Sequence, residues 1–187
     1  MSDPNRIRRQ QILREAEGYL DLITVFGSRW PCSPNARDQV AERVLVTLDR
    51  IDNPGGLLAH ILFLRGQAFR TMERFGDAVK PLREAADLEP ENYHIRLALG
   101  WCYKRIGRID MAIEALQEAL DAKPNIAIIH YNLACYWSLA GNVKLACSYL
   151  SQAFDLQPEY RELVGSERDF DPIRKHPYFQ SLTSVIV

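Results

Sequence analysis

The amino-acid sequence predicts an all-α solenoid built from stacked helix-turn-helix units. Prolines recur every 34 residues, at Pro90, Pro124 and Pro158. The same interval separates small and apolar residues, which are Ala78, Ala112 and Ala146, then Leu82, Leu116 and Leu150, then Ala85, Ala119 and Ala153. A fixed period of this size is typical of repeat proteins, in which each unit buries its apolar face against its neighbours. Such a chain usually presents a surface to a partner and catalyses no reaction.

Residues 1–56 predict an N-terminal helix pair. Apolar residues recur at helical spacing through residues 5–26, and a second helix is expected over residues 36–51. Two prolines and a glycine lie within residues 27–35, which predicts a loop, and residues 52–56 predict a turn. The 34-residue template does not fit this region, so we interpret it as a cap or a degenerate repeat, since terminal repeats are usually atypical.

Three repeats are expected over residues 57–160. In the second repeat the two helices are predicted roughly over residues 92–106 and 109–122, on either side of Gly107 and Arg108. Small residues are expected where the two helices of a unit cross most closely, because larger side chains would push the helix axes apart. They are Gly66, Gly100 and Ala134 on the first helices and Ala78, Ala112 and Ala146 on the second helices.

The last segment, residues 161–187, predicts a C-terminal helical cap. A short helix is expected over residues 160–165, and Asp169 or Asp171 is expected to cap another helix that starts at Pro172. A final apolar segment is expected to start at Pro177. An open stack leaves its last apolar face in water, so the simplest interpretation is a structural cover. The alternative is that this segment folds into the protein's own groove as a mimic of a ligand.

The recurring small, aromatic, alanine, leucine and proline positions resemble the tetratricopeptide repeat (TPR) family of bacterial type. The repeats are then residues 59–92, 93–126 and 127–160, with the aromatic residues Phe69, Tyr103 and Trp137 at equivalent places. The resemblance covers about half of the chain. It implies a right-handed superhelical α-solenoid, in which the first helix of each repeat lines a concave groove.

The resemblance also implies which residues line that groove. They are Phe63, Gln67, Arg70, His94, Leu97, Trp101, Lys104, Arg105, Ile128, Tyr131, Asn132 and Cys135. Aromatic and aliphatic members are expected to form a floor beside a basic edge, and binding hot spots tend to combine aromatic anchors with arginine. Two interpretations stay open: a partner fills the groove, or the chain's own flanking helices cover it.

One groove residue bears on the kind of ligand. Asn132 matches an asparagine of the TPR groove that grips a C-terminal carboxylate, but the lysines of that pattern are absent here. The sequence therefore disfavours recognition of an acidic C-terminus, the mode by which TPR cochaperones bind chaperones.

The composition excludes several classes of partner. A net charge of −1 gives no general attraction to nucleic acid or to an anionic membrane. No apolar run approaches the ~20 residues that span a bilayer, and the first residues lack an apolar export segment. The cysteines are Cys32, Cys102, Cys135 and Cys147, without a close metal-type pair, and we interpret them as reduced in a cytoplasmic protein. We therefore expect no nucleic acid, membrane, metal or cofactor.

No motif in the sequence indicates catalysis. A glycine-rich phosphate loop and a nucleophile elbow are both absent, and the four histidines are scattered. We expect no catalytic residues and no enzyme activity. The function expected is a protein–protein interaction module that binds a peptide or helix of a partner in the groove. The alternatives are a chaperone for secreted translocator proteins and a structural module that self-associates as a homodimer.

Overall fold

A computed structural model describes residues 4–29 and 33–184 of the chain. In this part all regular secondary structure is helical, and none of the helices is long and apolar enough to cross a membrane. The chain divides into two compact units, Met1–Glu89 and Pro90–Val187. The division falls close to the end of the first predicted repeat, so that repeat shares one compact unit with the N-terminal helix pair.

The first unit contains four α-helices. They are α1 (Pro4–Arg29), α2 (Pro34–Leu48), α3 (Leu58–Thr71) and α4 (Phe75–Leu88), with a short 3₁₀ turn at Gly55–Leu57. A buried cluster joins the first three helices and consists of Leu13, Ala16, Val44, Leu48, Ile61, Leu64 and Ala68. On the surface, His60 Nε2 lies 2.7 Å from Glu17 Oε1, which links α3 to α1. The N-terminal pair therefore packs directly on the first predicted repeat.

The predicted bounds of the N-terminal loop were wrong. Helix α1 runs to Arg29, and α2 already begins at Pro34. The side chain of Ser33 caps α2 by accepting a hydrogen bond from Ala36 N. Proline is well suited to the first turn of a helix, where its missing N–H has no partner to lose, so Pro34 opens a helix and does not extend a loop. Cys32, which was expected to be reduced, lies outside the described residues.

Gly66 marks the closest approach of α3 to α4. A Cβ atom built on Gly66 would lie 2.4 Å from Leu82 Cγ and 2.5 Å from Leu82 Cδ2. Leu82 is completely buried. Carbon atoms in contact normally lie about 3.5–4.0 Å apart. The requirement for a small residue at this crossing therefore has a direct steric cause.

The second unit contains the remaining helices. They are α5 (Tyr93–Arg105), α6 (Ile109–Ala122), α7 (Ala127–Leu139), α8 (Val143–Leu156), α9 (Tyr160–Val164) and α10 (Pro177–Thr183). Helices α5 and α6 form one antiparallel pair, and α7 and α8 form the next. Gly100 lies at the crossing of α5 and α6, where an added Cβ would approach Ala112 O and Leu116 Cγ to 3.3 Å. The predicted contact of Gly100 with Ala112 is confirmed.

The turn between the two helices of a repeat has the same backbone in all three repeats. Glu73, Gly107 and Gly141 adopt left-handed φ angles of 58°, 78° and 76°, and they lie one repeat apart. In each turn this residue donates to a carbonyl three residues back, and the next residue donates to the carbonyl of Phe69, Tyr103 or Trp137. This pair of hydrogen bonds is the Schellman motif, which satisfies the last carbonyls of a helix.

The tail, defined here as residues 165–184, differs from its prediction in one element. No helix starts at Pro172, and residues 168–170 form a 3₁₀ turn instead. Glu167 caps this turn by accepting from Asp169 N at 3.0 Å. Arg174 donates to the carbonyl oxygens of Val164, Gly165 and Glu167, at distances of 2.6–3.3 Å, which holds the tail in an irregular path. The last helix, α10, starts at Pro177 as predicted.

Candidate functional site

Three of the predicted groove residues lie on α3 in the first unit. Phe63, Gln67 and Arg70 are all partly exposed. Arg70 Nη1 donates a hydrogen bond of 2.6 Å to Gln67 Oε1, one helical turn away. This contact fixes the orientation of both polar side chains on the face that Phe63 shares.

Helix α5 supplies an amphipathic strip in the second unit. His94, Leu97, Trp101 and Arg105 are spaced by three or four residues and therefore share one face of the helix. His94 and Arg105 are exposed, while Leu97 and Trp101 are partly exposed. The guanidinium of Arg105 lies 5.2 Å from the centre of the Trp101 ring, within the range of a cation–π interaction. The partly exposed apolar side chains of this strip thus have a positive charge at one end.

A cleft opens at the other end of this strip, between the first turns of α5 and α7. Its volume is about 460 Å³, and it includes the predicted residues His94, Leu97 and Ile128. Ile128 is 39% exposed, and Leu156 at the end of α8 is 42% exposed. Tyr93 and Tyr160 also line the cleft. The arrangement provides an open recess that combines apolar and polar groups with aromatic side chains.

The tail covers the middle of the α7 face. Tyr131 is only 7% exposed and Cys135 only 2% exposed. The ring of Tyr131 lies 4.7 Å from that of Tyr160 and meets the ring of Phe170 edge-on at 5.8 Å. Phe170 is completely buried. Self-covering, which the sequence left open, therefore occurs on α7, whereas Leu97 and Trp101 on α5 remain partly exposed.

The predicted basic edge is partly neutralised by the tail. Lys104 Nζ lies 2.6 Å from Asp169 Oδ2, and both side chains are mostly buried. Asn132 also has an internal partner, because its Nδ2 donates to Ile128 O at 2.9 Å within the same helix. The Lys104 ammonium and one N–H of the Asn132 amide therefore already have partners within the chain.

Cys135 has acidic neighbours from the tail. Its sulfur and one carboxylate oxygen each from Glu167 and Asp169 all lie within 4.8 Å of one another. Burial raises the pKa of the Cys135 thiol well above its ordinary value, and the two nearby carboxylates raise it further. The nearby Lys104 ammonium acts in the opposite direction, but burial has the larger effect, so the thiol is protonated at neutral pH.

Sequence reasoning missed Tyr93, at the start of α5, and several residues that come from outside the first helices. Tyr93, Leu156 and Tyr160 line the cleft, and Asp169 and Phe170 lie against α7. The tail residues carried a signal in their acidic and aromatic pattern, but their position depends on the irregular path after Val164. The recurring 34-residue template has no equivalent for that path.

Comparison with known proteins assigns the family. The sequence model described as tetratricopeptide repeat matches residues 63–127 and 103–161, which together make up more than half of the chain. No curated protein matches the chain.

Solved structures are similar in fold. MamA is 16% identical, covers 87% of this chain and 99% of its own, and has a TM-score of 0.58. MamA from Desulfovibrio magneticus RS-1, residues 41 to the end, is 17% identical over 83% of this chain and 94% of its own, with a TM-score of 0.58. YrrB, described as a TPR protein with an unusual peptide-binding site, is 17% identical over 84% of each chain, with a TM-score of 0.61. At these sequence identities the similarity shows the fold alone. The shared fold confirms the predicted all-α solenoid. The chain belongs to the tetratricopeptide repeat family.

Proposed function

We propose that the second unit binds an apolar segment of a partner protein along the α5 strip, with one side chain inserted in the cleft beside Ile128. Interaction with other proteins, without catalysis, is the general role of the TPR fold. The observation that carries the finer proposal is the cleft itself, which is open, includes exposed Ile128 and Leu156, and is continuous with Leu97 on the same face as Trp101. YrrB, a similar fold, is described as having a peptide-binding site, which supports a peptide as ligand.

The energetics favour an apolar anchor over a charged one. Ile128 and Leu156 expose large fractions of their side chains in the cleft. Removing apolar surface from water contributes about 25 cal/mol per Å², so a buried leucine-sized side chain contributes roughly 1.5–3 kcal/mol. Trp101 adds a flat apolar surface of the kind that dominates binding hot spots. Arg105 is exposed at the rim, where a charge affects mainly the association rate and its salt dependence.

We further propose a non-catalytic role in the cytoplasm, with a protein or peptide as the partner and a homodimer as the alternative. The location rests on Cys102, Cys135 and Cys147, which are buried thiols and fit a reducing compartment.

The test uses a matched pair of variants in the second unit. Ile128 and Leu145 are similarly exposed, at 39% and 36%, and both lie in the first turn of a helix. Ile128 lines the cleft and Leu145 does not. Aspartate is compatible with both positions, because an acidic residue is favourable near a helix N-terminus. The pair therefore separates the effect of the cleft from the effect of a new surface charge.

The binding experiment starts from a displayed library of random peptides selected on the wild-type protein. Affinities of the enriched peptides are then measured by calorimetry. We expect Ile128→Asp and Trp101→Ala to weaken binding by about tenfold or more, and Leu145→Asp by less than about threefold. Thermal melts of each variant verify folding. Normal binding by Trp101→Ala, or equal loss in the two aspartate variants, would place the site elsewhere on the protein.

A further inference from the structure

One side-chain cluster in the second unit has no part in the proposed peptide site. It joins α7 to the tail and consists of Cys135, Glu167 and Asp169, whose ligand-type atoms lie within 4.8 Å of one another. Cys135 is buried, with only 2% of its surface exposed, and the two carboxylates are partly buried. A thiolate and two carboxylates are groups that bind zinc-like cations in proteins.

Tyr131 provides a second and independent observation. It is 7% exposed, and within the part of the chain that the structure describes its hydroxyl has no hydrogen-bond partner. Burial raises the pKa of Tyr131, and so do its electrostatic interactions with Cys135, Glu167 and Asp169. A buried hydroxyl without a partner costs about 1–3 kcal/mol, so a native structure usually supplies one. A cation with its bound water would give this hydroxyl such a partner.

The charges of the cluster also favour a divalent cation. Lys104 Nζ is 2.6 Å from Asp169, so the ammonium belongs to the cluster. With a neutral thiol, the two carboxylates and the ammonium leave one net negative charge in a mostly buried place. A divalent cation that displaces the thiol proton to solvent brings the sum to zero, because the thiolate adds one negative charge and the cation two positive charges.

We propose that Cys135, Glu167 and Asp169 bind a divalent cation of the zinc type, with Tyr131 or a water held by it in the fourth position. Tetrahedral zinc at 2.0–2.3 Å from each ligand holds the ligand atoms roughly 3.3–3.8 Å apart. The three atoms lie no more than 4.8 Å apart, so binding draws them together by at most about 1.5 Å, a movement within reach of the partly exposed Glu167 side chain. Because Cys135 belongs to α7 and both carboxylates belong to the tail, the cation would lock the tail onto α7.

The experiment uses Co²⁺ as a spectroscopic probe of the full chain. A cysteine thiolate bound to Co²⁺ gives a sulfur-to-metal charge-transfer band in the near ultraviolet, which carboxylates alone do not give. The variants are built in a Cys32→Ala background, so that this thiol does not contribute. Cys135→Ala is compared with Cys147→Ala, a matched control at another buried cysteine outside the cluster.

Glu167→Gln is a second variant, and we expect it to keep the fold. Its amide oxygen can still accept the hydrogen bond from Asp169 N, but a neutral amide is a poor cation ligand. Zn²⁺ affinity is measured by competition with a chromophoric chelator. Loss of a ligand should weaken binding by more than the roughly 10–100-fold that follows a change in an outer-shell partner.

The proposal predicts one Co²⁺ per chain, with a thiolate band that persists in Cys147→Ala and disappears in Cys135→Ala. It also predicts that Zn²⁺ slows proteolysis of the tail in the wild-type protein and not in Glu167→Gln.

Should Cys135→Ala fail to fold, the Glu167→Gln measurements alone test the proposal. A wild-type protein without the band, or Zn²⁺ affinity unchanged in Glu167→Gln, would overturn the site and show an ordinary hydrogen-bonded cap. Peptide binding through the cleft is measured separately, so either proposal can fail without the other.

Discussion

Replacing Gly66 by alanine should destabilise the first unit, although alanine is the better helix former. The added Cβ would lie 2.4 Å from Leu82 Cγ, about 1 Å closer than carbon atoms tolerate, and Leu82 is completely buried. Overpacking of this kind typically costs 1–3 kcal/mol. The change from glycine to alanine inside a helix returns about 0.5–1 kcal/mol. We therefore expect a net loss of about 1–2 kcal/mol in the free energy of unfolding.

Two other glycines serve as controls for this substitution. Gly18 lies inside α1 with no atom within 4 Å of its added Cβ, so Gly18→Ala should stabilise the protein by about 0.5–1 kcal/mol. Gly100→Ala meets neighbours at 3.3 Å, and crowding should approximately cancel the helix gain. The measurement is urea unfolding followed by circular dichroism, with equal slopes required for comparison.

A double variant tests whether Leu82 is the cause. Leu82→Ala alone removes a buried leucine and should cost about 2–5 kcal/mol. With Leu82→Ala present, the extra methyl of Gly66→Ala enters vacant space, so the two losses should sum to more than the measured loss of the double variant. A Gly66→Ala protein as stable as Gly18→Ala would refute the close crossing of α3 with α4.

Two further predictions concern the second unit. Asn142→Ala removes a helix cap, because Asn142 Oδ1 accepts a hydrogen bond from Leu145 N at 3.1 Å, and it should lower the free energy of unfolding in urea by about 1 kcal/mol. Arg108 lies at the equivalent place one repeat earlier and has no side-chain cap, so Arg108→Ala should cost less than about half of that. Arg174→Ala removes three hydrogen bonds to the backbone carbonyls of Val164, Gly165 and Glu167, so limited proteolysis of the tail should accelerate by about tenfold. The exposed Arg168→Ala is the control. Equal unfolding free energies for the first pair, or equal cleavage rates for the second, would contradict the respective assignment.

The repeat helices could be predicted from sequence because their packing is periodic. Small residues such as Gly100 and Ala112 recur where two helices cross too closely for a larger side chain. Residue size and spacing therefore predict where the helices of a repeat cross. The same periodicity placed the turn residue Gly107 between α5 and α6. These features depend on contacts between neighbouring helices, which a fixed interval of residues encodes directly.

The contacts between the tail and α7 could not be predicted from sequence, because they do not recur from repeat to repeat. The position of Asp169 against Lys104 follows from the bonds of Arg174 to backbone carbonyls, and no sequence interval indicates them. Tyr131 and Cys135 are equivalent to Leu97 and Trp101, which are partly exposed one repeat earlier, yet Tyr131 and Cys135 are buried beneath the tail. Spacing predicts which face a residue shares and cannot show what later covers that face.

The recurring left-handed turns have a consequence for engineering the chain. Gly107 and Gly141 share the same backbone conformation and the same pair of carbonyl acceptors one helix back. A gene segment that starts at one of these glycines and ends before the other could therefore be copied in tandem, and each new junction would join backbones of matching geometry. The inserted cassette would present the face of α7 a second time, in a copy that the tail does not reach. Such a lengthened protein would offer an uncovered version of the surface that the natural chain keeps closed.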